Sequence, residues 1–303
     1  MTHGHPSFRK GLLLSNLSVL LAGPTGLFGK TLAHLPIGVV VLARSAIAAL
    51  SLFVLLRALN RTPARSKPLS GYYRGALLTG SLLAFHWFTF FWSIQRANVA
   101  VGILAFSTFP LFATFFEPLV FKQRLRAIDL LWATLAIGAM ALIVPSGSLS
   151  DHVTQGALLG IVSGALYAAY SVANKALLQQ GQQDVMTLTM TQNTVSAVWC
   201  LPALWPLWQL GYQPTLADFG QLLLLGTLLT AGLQVLFIAS LHHIPARLVG
   251  MITCLEPLYG ILLAYFILGE IPQPHTLIGG ACLIATVLAS ILTSRPDTLG
   301  RPA

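Results

Sequence analysis

The stretch from Ala246 to Glu270, ARLVGMITCLEPLYGILLAYFILGE, places one acid and one proline in the middle of an otherwise apolar run. A helix rises about 1.5 Å per residue, so a run of this length crosses the roughly 30 Å hydrocarbon core of a bilayer. Glu256 would then lie near the midplane, where a carboxylate costs about 2.5–3.5 kcal/mol and usually faces a cavity or a partner. Pro257 removes a helix hydrogen bond at the same depth. The run therefore predicts a broken, charged membrane helix.

Nine further apolar runs of similar length are separated by short polar or Gly/Pro segments. Charged residues make up only 8% of the 303 residues, against about 25% in a soluble globular protein, so they are too few to cover the surface of a soluble domain. We therefore predict an all-α polytopic membrane protein with ten transmembrane helices. The predicted spans are 11–32, 36–57, 72–94, 97–120, 126–145, 156–178, 186–208, 218–241, 246–268 and 274–294.

Basic residues predict the orientation of these spans, because Lys and Arg accumulate in cytoplasmic loops. With the amino terminus inside, 14 of the 17 basic residues lie on the cytoplasmic side, and only Arg96 lies in the loops opposite. Lys30 and Arg44 lie within spans. We expect a multi-pass protein of the cytoplasmic (inner) membrane with both termini in the cytoplasm, as short tails at 1–10 and 295–303.

The two halves of the chain resemble each other in sequence. The first span aligns with the sixth, which sets Lys30 over Lys175, and a second match sets Pro110 over Pro257. Five spans in each half would make the halves cross the membrane in opposite senses, as an inverted repeat that supports alternating access. Lys30 and Lys175 would then lie near opposite faces of the membrane. The predicted repeats are 11–145 and 156–294.

These residues also resemble a known family. An arginine in the second span (LARSAIAALSL, Arg44), the lysines that close spans 1 and 6, and the pattern EPLYGILLAYFILGE followed by IGGACLIATVLASIL are similar to the EamA-type members of the drug/metabolite transporter superfamily. The resemblance covers nearly the whole chain and implies a carrier that exports amino acids or other small metabolites. The first repeat departs from the pattern, because it has Lys122 and Gln123 where the second has Gly269 and Glu270.

Three ionisable side chains inside the spans are candidates for a solute or proton pathway. Glu256 could accept a proton or a cationic group of a substrate, or it could simply hold its helix against a neighbour. Arg44 needs a carboxylate, backbone carbonyls or water, so it serves either as a structural tie or as a site for a substrate carboxylate. His86, at mid-depth in the third span, is a candidate pathway residue or an internally hydrogen-bonded one.

Other residues are candidates for gating. Lysines near span ends ordinarily extend to the interface, but the matching places of Lys30 and Lys175 in the two repeats favour a role in gating. The segment GPTGLFGKT in the first span resembles a phosphate-binding loop, but proline stands where that loop needs glycine, so we predict no nucleotide and no other cofactor. It is better explained as a weak, closely packed turn. The predicted hinge residues are Gly23, Pro24, Pro110 and Pro257.

Aromatic and amide side chains at mid-depth predict a pocket that is mostly apolar with a few oriented polar atoms. Such a pocket suits an amphipathic metabolite, although most aromatic residues in a membrane bundle only fill space. The three cysteines lack metal-ligand spacing, so we predict no metal site. The candidate lining residues are Trp87, Tyr167, Tyr170, Gln192, Asn193 and Gln234.

We predict a secondary transporter, and not an enzyme, that moves a small organic metabolite outward by alternating access. Protons are the candidate coupling ion, with facilitated diffusion and exchange as alternatives, and the oligomeric state stays open. A membrane-embedded enzyme acting on lipids would need clustered His, Asp or Glu residues, whereas the eight acids are scattered. A sensor or scaffold would need a docking surface that the short loops do not offer. The basic residues are spread along loops, so we expect no nucleic-acid partner.

Overall fold

The computed structural model describes residues 6–60, 69–122, 127–143, 151–179, 184–205, 214–253 and 255–292, and within them all regular structure is helical. Two π-helical turns, Thr227–Gly232 and Ala264–Leu268, continue two of the α-helices. In chain order the α-helices are α1 (Pro6–Ala22), α2 (Thr25–Thr31), α3 (Ile37–Ala58), α4 (Leu69–Arg96), α5 (Val99–Phe106), α6 (Phe109–Val120), α7 (Ala127–Ile143), α8 (His152–Gln179), α9 (Val185–Cys200), α10 (Leu216–Gly226), α11 (Leu233–Leu241), α12 (Ala246–Thr253), α13 (Glu256–Leu263) and α14 (Pro274–Leu292).

Six helical stretches are long and apolar enough to cross a bilayer, and each coincides with a predicted span. Of the other four predicted spans, two correspond to the shorter helices α7 with 17 residues and α9 with 16, one is divided between α12 and α13, and one corresponds to α14 with 19 residues. The prediction of an all-α polytopic membrane protein is thereby confirmed, whereas the count of ten spans stays a prediction. The six long stretches are Phe8–Thr31, Ile37–Ala58, Tyr73–Arg96, Val99–Val120, His152–Gln179 and Leu216–Leu241.

Side-chain caps fix where several helices begin. The Asn98 side chain accepts the backbone N–H of Val101 at 2.8 Å and so caps α5. Asp184 caps α9 in the same way, and Thr215 and Asp218 form a reciprocal capping box at the start of α10. Each cap satisfies a backbone donor that the helix itself leaves free, which is worth about 1 kcal/mol.

Three of the predicted spans are interrupted near their middles. The first breaks between α1 and α2, at Gly23 and Pro24. The fourth breaks between α5 and α6, where Pro110 stands in the first turn of α6, and the ninth breaks between α12 and α13, where Pro257 stands in the first turn of α13. Proline is tolerated there because the first turn leaves its N–H positions without intrahelical partners. The breaks therefore fall at the predicted hinge residues, whose movement stays a prediction.

A row of glycines on α8 lets this helix lie unusually close to α4 and α5. A Cβ atom on Gly156 would stand 2.6 Å from Cβ of Ala97, and one on Gly160 would stand 2.6 Å from Cβ of Ala105. Gly164 is similarly close to the carbonyl oxygen of Phe106, at 2.9 Å. Small residues four apart are what close helix contacts in membranes require. The contact brings the middle of α8 against the break between α5 and α6.

The helices pack in a recurring set of pairs. Helix α4 lies along α8, α3 along α9, α1 along α11, and α7 along α14. The core is formed mainly by apolar side chains of α3, α4, α5, α8 and α11. A cavity opens within this core.

Candidate functional site

A cavity of about 30 Å³ lies in the core at the level of the helix breaks. One water molecule needs about 10–15 Å³ of such space, so the cavity has room for two or three waters and not for an amino acid. Its polar wall, as we call it below, consists of Ser18, Thr25, Thr253 and Glu256. Its aromatic wall consists of His86, Trp87, Phe90, Phe106, Tyr167 and Phe237.

All three helix breaks border this cavity. Ala22 and Thr25 flank the break between α1 and α2, and both line it. Phe106, the last residue of α5, lines it as well, as do Thr253 at the end of α12 and Glu256 at the start of α13. Interrupted backbone at membrane depth is tolerated where it lines a cavity or is buried in protein. The breaks thus concentrate polar groups at one place inside an apolar bundle.

Glu256 is the acid of this cavity. Its side chain is buried, with 5% of the residue exposed, and among the described residues its carboxylate has no hydrogen-bond or ion-pair partner. It stands in the first turn of α13, where the positive end of the helix dipole favours a negative charge. A buried carboxyl group without a protein partner is available to a proton, to water or to a cationic group of a solute.

The three hydroxyl groups of the polar wall donate their hydrogens to backbone carbonyl oxygens three or four residues earlier in the chain. Ser18 donates to the carbonyl oxygen of Ser15 at 2.8 Å, and Thr253 donates to that of Val249 at 2.9 Å. Thr25 makes a longer contact, 3.5 Å, to a carbonyl of α1. Each hydroxyl oxygen keeps lone pairs that can accept further hydrogen bonds. The polar wall is therefore suited to a group rich in donors, such as water or an ammonium group.

The rings of the aromatic wall contact one another continuously. The His86 ring centroid lies 4.6 Å from those of Trp87 and Tyr167, and the Tyr167 centroid lies 5.0 Å from that of Phe237. The Nδ1 atom of His86 is 2.8 Å from Oγ and 3.2 Å from the carbonyl oxygen of Ser163. Ser163 therefore fixes the orientation of the imidazole, and the tilted rings of the wall offer a mostly apolar surface.

Arg44 contacts the aromatic wall but lies outside the cavity lining. It is fully buried, and its guanidinium carbon stands 3.3 Å from the centroid of the Trp87 ring. Its Nε and Nη2 atoms donate to Oγ1 of Thr230 at 3.0 and 2.8 Å. The Nη1 atom has no hydrogen-bond partner among the described residues. The partners are thus a hydroxyl and an indole face, neither of which the sequence argument had considered.

The predicted amide residues form a buried network beside the cavity. Nε2 of Gln192 donates to Thr79 and to Asn174, at 2.8 and 2.7 Å, and its Oε1 accepts from Tyr170 at 3.1 Å. These contacts tie α4, α8 and α9 together. Nδ2 of Asn193 donates to Oε1 of Gln234 at 2.5 Å and so ties α9 to α11. Tyr170, Gln192, Asn193 and Gln234 lie outside the cavity lining, and their place in the pathway stays a prediction.

The two matching lysines make different contacts. Nζ of Lys175 lies 2.6 Å from Oε1 of Glu117, with side chains 15% and 8% exposed. Nζ of Lys30 instead donates to the carbonyl oxygen of Ala97 at 3.2 Å. Sequence reasoning missed Glu117, although this acid interrupts the fourth span just before Pro118, as Glu256 interrupts the ninth before its proline. Glu117 lies near the end of its predicted span, so the argument from mid-membrane depth that singled out Glu256 did not select it.

The acid at the end of the ninth span supports the start of the fourth. Oε2 of Glu270 accepts the backbone N–H of Val99, the first residue of α5, at 3.0 Å. The sequence difference between the repeats, Glu270 in the second and Gln123 in the first, therefore affects a contact at the end of a helix. Its counterpart in the first repeat, Gln123, lies outside the described residues.

Several cavity residues were also missed because their types are common in membrane helices. Thr25 follows the predicted hinge residue Pro24 directly. Phe106 and Thr253 each stand four residues before a predicted hinge proline. Proximity to the breaks was therefore the signal that could have found them.

Comparison with known proteins adds the family and the fold. The chain matches the model of the EamA-like transporter family over residues 9–144 and 154–292. It is 24% identical over 293 residues to the pseudopaline exporter of Pseudomonas aeruginosa, covering 95% of this chain and 98% of that one. It is 25% identical over 214 residues to the threonine/homoserine exporter of Escherichia coli, covering 70% and 68%. A crystal structure at 16% identity superposes with a TM-score of 0.70 over 95% of this chain and 98% of its own, which shows a shared fold.

Proposed function

The chain belongs to the EamA-like transporter family, and from this premise we propose that it exports an amino acid or a related small metabolite across the cytoplasmic membrane by alternating access. Membership of the family makes it a small-molecule transporter embedded in a membrane. The names of two relatives, an exporter of threonine and homoserine and an exporter of pseudopaline, support outward movement of amino acids and related compounds. We propose no enzymatic activity.

Helix packing supports the proposal of ten spans in two inverted repeats. Numbered by predicted span, α1 with α11 is the pair 1 and 8, and α4 with α8 is the pair 3 and 6. Adding five to the number of span 1 and subtracting five from that of span 8 gives spans 6 and 3, so the two pairs are equivalent between the repeats. The pairs α3 with α9 and α7 with α14 join spans 2 and 7 and spans 5 and 10, which the same shift leaves unchanged. A two-fold relation between five-helix repeats produces this pattern. With the bias of basic residues, it supports two cytoplasmic termini.

The observation that carries the proposal is a small cavity that is bounded by three broken helices and lined by Glu256, whose carboxylate has no hydrogen-bond or ion-pair partner among the described residues. At about 30 Å³ the cavity cannot hold an amino acid, so a solute reaches Glu256 only when the surrounding helices separate. The breaks beside Gly23, Pro110 and Pro257 supply the places where helix halves can change direction. Discontinuous helices around a mid-membrane site are typical of secondary transporters.

Glu256 is the proposed site of coupling to protons. Its carboxyl group lacks a protein partner among the described residues, whereas Nδ1 of His86 is engaged by Ser163. A group that binds a proton and a cationic solute in turn would exchange one for the other during the cycle. His86 remains the second candidate on this path.

Transport by the purified protein in proteoliposomes tests this proposal. Vesicles receive labelled threonine with and without an imposed pH gradient, and Glu256→Gln is compared with Glu270→Gln, in which the amide oxygen can still accept the N–H of Val99. We expect the gradient to drive accumulation in the parent and in Glu270→Gln. In Glu256→Gln we expect exchange of threonine without gradient-driven accumulation. Unchanged flux and coupling in Glu256→Gln would remove this residue from the mechanism.

A further inference from the structure

The two walls of the cavity differ in electrical character. Glu256 is the acid among the described lining residues, and no lysine or arginine lines the cavity there. A positive charge nevertheless contacts the aromatic wall, because the guanidinium carbon of Arg44 stands 3.3 Å from the centroid of the Trp87 ring. Trp87 lines the cavity and Arg44 does not, so this charge can act on the cavity through the indole ring.

Arg44 lacks the counter-ion that a buried cation normally has. Its described hydrogen bonds go to Thr230 alone, its Nη1 atom is without a partner, and no carboxylate of the described residues forms an ion pair with it. The indole Nε1 of Trp87 is also buried without an acceptor. Two orphaned donors side by side are uncommon in native proteins, where most buried polar atoms are paired. An anionic group in the cavity could accept the indole N–H of Trp87, which lines the cavity, and would supply a counter-charge near Arg44.

The stacked guanidinium also changes what the Trp87 ring attracts. An indole face normally attracts a cation through its negative quadrupole. A cation already resting on one face opposes a second cation on the other, and its field favours an anion there. An ammonium group is therefore directed away from Trp87 and towards Glu256 and the hydroxyl oxygens of the polar wall.

We infer that this site binds a zwitterion in one orientation, with its ammonium group at Glu256 and its carboxylate at Trp87, backed by Arg44. The side chain of the solute then lies along the aromatic wall. The inference rests on the proposed transport function and adds to it the residues that recognise each charged group of the solute. Arg44 acts through Trp87 and is a positioning residue, while Glu256 contacts the solute.

Three compounds that share a phenylalkyl group test the inference on the unaltered protein. Phenylalanine carries both charged groups, 2-phenylethylamine carries only the ammonium, and 3-phenylpropanoate carries only the carboxylate. Binding is measured from the shift of the thermal unfolding midpoint of the purified full-length protein in detergent, because a ligand stabilises the folded state that it binds. We expect phenylalanine to bind roughly tenfold more tightly than either single-charge compound, as expected for one additional charge-assisted hydrogen bond. Equal shifts for all three, a larger shift for a single-charge compound, or no shift at all would overturn the inference.

Variants then assign each pole to its residue. Arg44→Gln should abolish the preference for phenylalanine over 2-phenylethylamine, and Glu256→Gln should abolish the preference for phenylalanine over 3-phenylpropanoate. The control Arg57→Gln removes an exposed arginine of the same helix, 5.1 Å from the ring of Phe53, and should keep both preferences. A variant that weakens all compounds equally contradicts its assigned role.

Trp87→Phe provides a second test of the carboxylate pole if Arg44→Gln does not fold. It keeps a ring over the guanidinium but removes the indole N–H, so phenylalanine should lose affinity while 2-phenylethylamine keeps its own. An equal loss for both would contradict the assignment.

Counterflow in proteoliposomes separates this inference from the proposed function. Selective binding without flux would remove the transport function alone, whereas flux that ignores the charged groups would remove the inference alone.

Discussion

The buried ion pair between Glu117 and Lys175 allows a prediction of stability to be worked from the structure. The two charged atoms are 2.6 Å apart, and the side chains are 8% and 15% exposed. At an effective dielectric constant near 20 their attraction is about 6 kcal/mol. Withdrawing two ions from water costs several kcal/mol each, so the intact pair contributes little net stability. Removing one partner, however, leaves the other charge buried and uncompensated, at a cost of about 3–5 kcal/mol.

Glu117→Leu and Lys175→Met should therefore each lower the free energy of unfolding by about 3 kcal/mol or more, while the double variant should lie within about 1 kcal/mol of the parent. The assay is reversible unfolding of the purified protein in mixed detergent micelles, followed by tryptophan fluorescence. Lys30→Met serves as the control, because this lysine occupies the matching place in the other repeat and makes a hydrogen bond to a carbonyl oxygen. It should cost less, about 1–2 kcal/mol.

Additive costs would refute this reasoning. If the double variant lost the sum of the two single losses, the two charges would not compensate each other and the pair would be incidental. A loss in Lys30→Met equal to that in Lys175→Met would also contradict the argument, since it would show that any buried lysine of these spans costs the same to remove.

Two further predictions concern the helix breaks and caps. Gly23→Ala should cost about 1–3 kcal/mol and slow transport, because its Cβ would overlap Cβ of Tyr259. Gly220→Ala, where no atom lies within 4 Å of the added Cβ, should instead be neutral or stabilise the protein by up to about 1 kcal/mol; equal effects in the two variants would contradict a close contact at Gly23. Thr215→Ala should cost about 1 kcal/mol in the same unfolding assay, because its hydroxyl accepts the N–H of Asp218 in the capping box. An unchanged unfolding midpoint would show that this cap contributes nothing.

Features set by neighbours in sequence were predictable. Hydropathy located most of the helices to within a few residues, because a membrane span must be long and apolar, although α9 ends at Cys200, well before the predicted end of the seventh span. Pro110 and Pro257 marked two of the breaks. Proline has no backbone N–H to donate, so it is favoured in the first turn of a new helix, and each of these two prolines stands there. Glu256 was expected to face a cavity or a partner, and it lines the cavity.

Features set by the rotation of one helix against another were not predictable. Glu117 and Lys175 are 58 residues apart, and only the packing of α6 on α8 brings them together. The stacking of Arg44 on Trp87 depends in the same way on how α3 lies against α4. Periodicity shows which side chains share a helix face, but not which faces meet. Sequence alone therefore did not show that the predicted amide residues make hydrogen bonds beside the cavity, as Asn193 does with Gln234, and do not line it.

The most direct test of the account is whether one residue that lines the cavity becomes accessible from both sides of the membrane. Thr253 lines the cavity at the end of α12 and is 7% exposed. Thr253→Cys, in a variant whose native Cys200, Cys254 and Cys282 are replaced by serine, is treated with a membrane-impermeant maleimide in right-side-out and in inverted vesicles. The account predicts labelling from either side, slowed by the transported solute. Labelling from one side alone under all conditions, or from neither, would contradict alternating access to this cavity.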